Sequence, residues 1–315
     1  MPPKIAVVVG PTASGKTKLA VELALAHNGE VVSADSMQIY RTLNIGTAKP
    51  TAEEMRGVPH YMLDVAEPEE DFSVARYVEM AAACVDDILA RGKLPIVAGG
   101  TGLYIDSLLS GRTFAAFSAE SPLRAQLQER AAKEEGRESL WRELQGIDPE
   151  AAARLHPNDE KRVIRALEVW YQTGMTITEH NRMTQSIPPR YEALTLGLAF
   201  QEREDMWRRI DRRVDEMMEQ GLVEEVRGVL ARGIPPTCTA MQAIGYKEMV
   251  QAVRTGGDVI AAAEEVKLRS RQYAKRQLTW FRRDRATRWY RWGSEPDFQE
   301  ALRASTGSMR EFGLV

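Results

Sequence analysis

Eight residues carry the clearest chemical signal in this chain: "GPTASGKT", Gly10 to Thr17, which fits the G-x-x-x-x-G-K-[ST] spacing with Gly10, Gly15, Lys16 and Thr17 in register. Glycines let such a loop curl so that backbone amides point inward, and a helix N-terminus behind them adds partial positive charge. Pro11, Thr12, Ala13 and Ser14 form the span that would wrap two linked phosphates. Lys16 would reach the distal one, and the Thr17 hydroxyl is placed to ligate a magnesium ion. A second candidate is Asp35, at the end of "VVSAD" and followed by "SMQIY". As a residue read alone, it could help hold a metal, cap the next turn or act as a general base. A third is Thr101 in "VAGGTGLY", where Gly99, Gly100 and Thr101 stand in place of the metal-holding acid that a kinase or ATPase would present.

These residues need a scaffold that collects them at one edge. "KIAVVVG", "EVVSAD" and "LPIVAGG" are short continuous apolar runs, as strands buried on both faces of a parallel sheet require. Between the last two, Val74, Tyr77, Val78, Ala81, Val85, Ile88 and Leu89 recur at helical spacing, with Ser73 as cap and Gly92 as stop. The alternation predicts an α/β doubly wound core. In such sheets ligands bind beyond the carboxyl ends of the strands, where the phosphate loop, Asp35 and Thr101 would all project. From Phe114 to Arg190 strand-like runs vanish and helix starts appear at "SPLRAQL", "DPEAAARL" and "NDEKRVIRALEVW", which reads as an all-helical insert. "ALTLGLAF" then resumes the sheet before one long helix, "REDMWRRIDRRVDEMMEQGLVEEVRGVLARG". The expected organisation is a catalytic core over 1–113, an insertion over 114–192 and a second part of the core over 193–315.

Bulk properties narrow the class. At 315 residues and 43% hydrophobic the chain has enough apolar surface for a full core. Cys84 and Cys238 lie far apart without metal-ligand spacing, which argues for a reducing compartment and against a zinc site. The amino-terminal apolar run is too short for a signal peptide and no run approaches bilayer length, so a cytoplasmic location is expected. The net charge of −3 hides a local excess: Lys267 to Trp292 holds ten Lys or Arg against the single acid Asp284, interleaved with six aromatic residues. Such a run favours a polyanion partner, although a solvated helix face with aromatics in the core explains it as simply.

The segments "GPTASGKT", "SADSMQIYRTLNIGTAKP", "VPHYMLDV", "GGTGLYI", "HPNDEKRVIRALEV", "AMQAIGYKE" and "RQYAKRQLTWFRR", in this order from Gly10 to Arg283, closely resemble the tRNA dimethylallyltransferases. The resemblance implies a P-loop NTPase-like parallel sheet flanked by helices, with the inserted all-helical domain binding tRNA. It implies transfer of a dimethylallyl group from dimethylallyl diphosphate to the N6 amine of the adenine beside the anticodon. The loop would then cradle the diphosphate of a prenyl donor with Mg2+ and without ATP hydrolysis. Arg213 would add a cationic contact, Thr101 would lie near the bridging oxygen, and Asp35 would take the amine proton. The adenine would be flipped from the anticodon loop onto Asp35, Ser36, Met37 and Gln38. The resemblance also assigns RNA contacts to Thr101, Arg124, Asp159, Arg162, Val163, Arg165, Gln242, Gly245, Tyr246, Lys247 and Arg276. A monomer is expected. The rival readings are a prenyltransferase acting on free AMP or ATP, a small-molecule kinase, and a nucleotide-controlled RNA-binding module.

Overall fold

The computed structural model describes residues 2–111 and 121–315. The expected boundary at 113/114 and the start of the insert at Phe114 lie outside the described residues. Six parallel strands form one sheet: β1 (Lys4–Val9), β2 (Gly29–Ser33), β3 (His60–Tyr61), β4 (Leu94–Gly99), β5 (Glu192–Phe200) and β6 (Arg288–Trp292), in the order β3-β2-β4-β1-β5-β6. Val7 pairs with Val97 on one side and Thr195 on the other, so β1 sits in the middle. Its Ile5 to Val9 are fully buried, which is why the run is apolar on both faces rather than alternating. The α/β sheet expected from the apolar runs is present, and the helix after Ser73 spans Val74–Ala90 with the Ser73 hydroxyl accepting from Arg76 N.

Two strands escape the apolar pattern. β3 is only two residues long, too short for any periodicity. β6 lies inside the basic segment, and there two of the aromatics follow the alternative reading, aromatics in the core. Trp292 is 1% exposed, and its indole Nε1 donates to Ser14 O at 2.8 Å, directly under the phosphate loop. Phe281 is also buried. The Phe298 ring packs on Trp292 and lies so near Gly15 that a Cβ there would come within 2.7 Å of it. Part of the aromatic content is therefore the floor of the loop. Trp292→Phe should lower stability by ~1–3 kcal/mol, because the Ser14 carbonyl loses its buried donor; urea unfolding midpoints at constant m measure this.

The single long helix expected over 203–233 is two, Arg203–Glu219 and Leu222–Ala231, broken where Gly221 takes φ 97°. A further helix, Val259–Phe281, contacts the first of these, and Phe298–Phe312 packs on Lys16–Ala26.

The chain divides into two compact units, 1–109 with 190–315, and 110–189. The second unit has its own core of Leu127, Leu140, Leu144, Val163 and Leu167 from helices Pro122–Ala131, Gly136–Ile147 and Glu160–Thr173. Inside it, fully buried Glu168 takes two hydrogen bonds from Arg124, at 2.7 and 2.6 Å. A buried carboxylate demands such a partner.

Candidate active site

The carboxyl ends of β1, β2 and β4 deliver the three chemical segments to one place. Ala34 N donates to Ala98 O at 2.8 Å and Thr101 N donates to Ala34 O at 3.0 Å, so the sheet ladder continues one step past the strands and carries Asp35 and Thr101 with it. The Asp35 carboxylate accepts from Met37 N at 2.9 Å and Gln38 N at 3.3 Å through Oδ1. That turn fixes the carboxyl plane and leaves Oδ2 without a backbone donor among these bonds. Thr101 Oγ1 accepts from Ser36 N at 3.0 Å and donates to Ser36 Oγ at 3.3 Å.

These segments open on a cavity of about 330 Å³ whose walls include Thr12, Ala13, Asp35, Ser36, Gly46, Ala48, Arg213, Tyr273 and Arg276. Helix Arg203–Glu219 lines it with Ile210, Arg213, Val214 and Met217, and helix Val259–Phe281 with Val266, Ser270, Tyr273 and Arg276. Residues three and four apart share a helix face, which gives each helix one wall. The lining combines charged and polar groups with an apolar set of Ile210, Val214, Met217, Ile244 and Val266. A larger groove, about 810 Å³, runs between Trp207 and Lys275 but gathers none of Asp35, Thr101 or the phosphate loop.

Burial and neighbouring charge shift Lys16 and Arg213. Lys16 Nζ donates to Pro11 O at 2.6 Å, and burial, aided by the nearby Arg213 charge, lowers its pKa to about 7 against the opposing pull of Asp35. Burial also lowers Arg213, while Glu54, Asp35 and Glu216 act to raise it; its Nη2 donates to Ala48 O at 3.4 Å. Two half-buried cations beside one carboxylate are short of negative charge, and an anion entering there relieves both. Ser14 Oγ is fully buried and has no hydrogen-bond partner, a polar atom left facing the loop interior. Burial and then Asp35 push the Tyr273 phenol up to about 12, offset by its hydrogen bonds to Thr101 and Gln277 and by Arg276.

The wall over residues 44–48 is held by one carboxylate that the sequence did not single out. Glu225 accepts from Asn44 N and Ile45 N, both at 2.9 Å, from Gly46 N at 3.2 Å and from the Tyr246 hydroxyl. Gln38 Nε2 ties the same loop by donating to Thr47 O at 3.2 Å and Ala48 O at 3.1 Å. Glu225→Gln should strand one or two of those amides at ~1–3 kcal/mol each. The expected result is a melting point several degrees lower and a donor KM raised about tenfold, with kcat less affected; a variant with unchanged KM rules out this role for the wall.

Thus Thr12, Ala13, Asp35, Ser36, Met37, Arg213, Gln242 and Arg276 share one cavity, and Thr101 is bonded to its wall at Ser36, whereas Lys16, bonded to Pro11, is not among the lining residues. Thr17 is half-buried at the second position of helix Lys16–Ala26 and is not among the cavity's lining residues. Tyr246 is fully buried and Gly245 is buried, whereas Lys247 and Gln242 are exposed. In the other unit, Val163 is 1% exposed in the core, so its side chain supports the helix and cannot itself reach a partner. Asp159 Oδ2 accepts from His156 N at 3.1 Å, and Arg162 and Arg165 border a groove of about 600 Å³ with Lys161, Arg154 and Arg182. Sequence reading missed Tyr273, Gln277 and Glu225; the first two lie in the quoted "RQYAKRQLTWFRR", but only the fold shows that they face the loops.

A family model described as IPP transferase matches residues 38–284. The chain is 46% identical over 288 residues to a tRNA dimethylallyltransferase of Thermoanaerobacter sp. (strain X514), covering 91% of each chain. It superposes on the crystal structure of a tRNA isopentenylpyrophosphate transferase from Bacillus halodurans with a TM-score of 0.72, 40% identity, and coverage of 98% of this chain and 97% of that one. A crystal structure of a eukaryotic dimethylallyltransferase acting on tRNA aligns with a TM-score of 0.82 at 30% identity, covering 98% of this chain and 78% of that one.

Proposed function

We infer the reaction from one premise: this chain belongs to the IPP transferase family, the tRNA dimethylallyltransferases. It transfers a dimethylallyl group from dimethylallyl diphosphate to the N6 amine of the adenine on the 3′ side of a tRNA anticodon, releasing diphosphate. The observation that carries the assignment of roles is the single cavity in which the phosphate loop, Arg213 and Asp35 meet. Diphosphate in the loop would neutralise the crowded Lys16 and Arg213 charges, and as the allylic carbon–oxygen bond breaks those groups would stabilise the departing anion. The Thr101 hydroxyl would donate to the bridging oxygen. The aliphatic wall of Ile210, Val214 and Val266 suits a five-carbon tail.

An adenine amine is a weak nucleophile because its lone pair is delocalised into the ring. As nitrogen bonds to the allylic carbon it becomes acidic, and the Asp35 carboxylate would take its proton, so that charge does not build on the base. The Asp35 to Gln38 segment would hold the flipped adenine and its neighbours, as a base reacting outside its stack requires. The exposed cations Arg162 and Lys161 in the insert, with Lys247 and Arg276 in the core, would contact phosphates of the anticodon arm. The domain roles follow: the sheet unit performs transfer and the helical unit grips RNA.

Among the described residues no group of three or more His, Cys, Asp or Glu could hold a metal ion. Mg2+ fits nevertheless, since it favours one or two protein oxygens plus phosphate oxygens and water, and Thr17 at the helix start supplies such an oxygen. When bound it would offset charge on the diphosphate. No helix among the described residues is long and apolar enough to cross a membrane.

The deciding experiment incubates the protein with labelled dimethylallyl diphosphate and either unmodified tRNA or AMP. Label on tRNA is expected. Label on AMP instead selects a nucleotide prenyltransferase, and phosphate transfer from ATP with neither acceptor prenylated selects a kinase.

A further inference from the structure

We propose that Gln277 is a positioning residue that locks the phosphate loop and the Thr101 loop into one arrangement for prenyl transfer. The inference rests on the reading above, in which Thr101 acts on the departing diphosphate. Gln277 lies on helix Val259–Phe281, remote in sequence from both loops, and is only 5% exposed. Its Oε1 accepts from Thr12 N at 2.8 Å, and its Nε2 donates to Gly100 O at 2.9 Å. Tyr273, one turn earlier on the same helix, lines the cavity beside Asp35 and Ser36. Thr101 accepts from Ser36 N, beside Asp35. A continuous chain of polar contacts therefore runs from the phosphate loop through one helix to the segment that carries the base.

The pairing of β1 with β4 runs to Val9 and Gly99, and Gln277 bonds residues on both backbone segments just beyond it. Its two bonds demand opposite polarities, an acceptor toward Thr12 and a donor toward Gly100, and a carboxamide of this length is the side chain that offers both. A side chain at residue 100 would destroy the fit, because a Cβ there would lie 2.1 Å from Nε2. The arrangement matters because a misplacement of about 1 Å at a reacting group costs on the order of 10²-fold in rate. Gln277 touches neither substrate in this scheme; it acts through Thr101.

The test is a double-mutant cycle of Gln277→Met with Thr101→Ala, reading kcat, KM for dimethylallyl diphosphate and melting temperature with tRNA as acceptor. Methionine keeps the length and loses both hydrogen bonds. The expected result is a kcat reduced about 10- to 100-fold with most of the protein folded, and a Gln277→Met/Thr101→Ala variant no slower than Thr101→Ala alone. Gln277→Asn keeps an uncharged carboxamide but is one methylene too short to bond both loops, so it should hold donor KM within about threefold of wild type while kcat falls; it also serves if the methionine variant does not fold. Independent, multiplicative losses in the cycle, or wild-type kcat in both Gln277 variants, overturn the proposal while leaving the reaction intact. A wild-type enzyme that prenylates no tRNA, or a Thr101→Ala variant with full kcat, overturns the reading on which the proposal stands.

Discussion

Asp35→Asn should leave the affinity for dimethylallyl diphosphate within a few-fold of wild type and lower kcat by roughly 10²–10⁴, the span typical of a lost general base. The geometry makes asparagine a clean replacement. Oδ1 accepts from Met37 N and Gln38 N, and an amide oxygen can accept both, so the turn and the Ser36 to Gln38 segment should stay in place. What disappears is the negative charge and the capacity to take a proton. Single-turnover kinetics with saturating tRNA separate chemistry from product release. Diphosphate and Mg2+ affinities measured on the same variant decide the role: if they fall in parallel with the rate, Asp35 is a metal ligand and another group accepts the proton. One secondary effect has a known sign. Asp35 raises the Lys16 pKa, so the asparagine variant should hold Lys16 neutral to a lower pH.

Lys16→Met should reduce kcat/KM for the donor by roughly 10²–10³, because a preorganised cation facing developing charge is among the larger electrostatic contributions to catalysis. Its pH signature is more specific. With a pKa of about 7 in the free enzyme, the Lys16 amine is largely neutral at pH 8, and binding a diphosphate must draw a proton onto it. Donor affinity should therefore decline above pH 7 with a slope approaching one decade per unit, accompanied by measurable proton uptake in calorimetry across buffers of different ionisation enthalpy. Lys16→Met should abolish both that slope and that uptake; a methionine variant with the same pH profile as wild type removes Lys16 from the explanation. The stability consequence runs the other way. Between about 7 and the ordinary lysine value of 10.5 the unfolded chain holds a proton here that the folded chain lacks, so the penalty this group places on folding, full below about 7, is relieved as pH rises through that window. Stability and donor affinity should thus have opposed slopes above neutrality.

The parts of this site that were legible in the sequence are those where a local pattern and a chemical demand coincide. Gly10 to Thr17 carry their own strand and helix flanks, so loop, element and role could be read together. Asp35 was visible as an acid at the end of an apolar run, but its spacing alone fitted a metal ligand, a cap or a base equally well. Glu225 had no such signal. It sits on an amphipathic helix among other acids, and its importance comes from backbone amides some 180 residues away in sequence. Gln277 was hidden in a basic segment whose charges drew attention to a polyanion. The same segment misled about Trp292, since a strand of Arg-Trp-Tyr-Arg-Trp alternates without being apolar and only the pairing with β5 reveals an inward face. Arg213 reads as one more surface arginine on a charged helix until the fold turns it inward.

The indole beneath Ser14 and the ring against Gly15 belong to residues 292 and 298, on the order of 280 residues further along the polypeptide than the loop they underpin. A ribosome therefore releases the glycine-rich turn long before its support. During synthesis the nascent protein has the residues for gripping pyrophosphates but not the platform that shapes them, and competence arrives only when the final strand slots beside β5. A nonsense codon between residues 278 and 288 should accordingly yield a product that is silent toward donor, even though the phosphate loop, Asp35, Thr101 and Arg213 have all been translated.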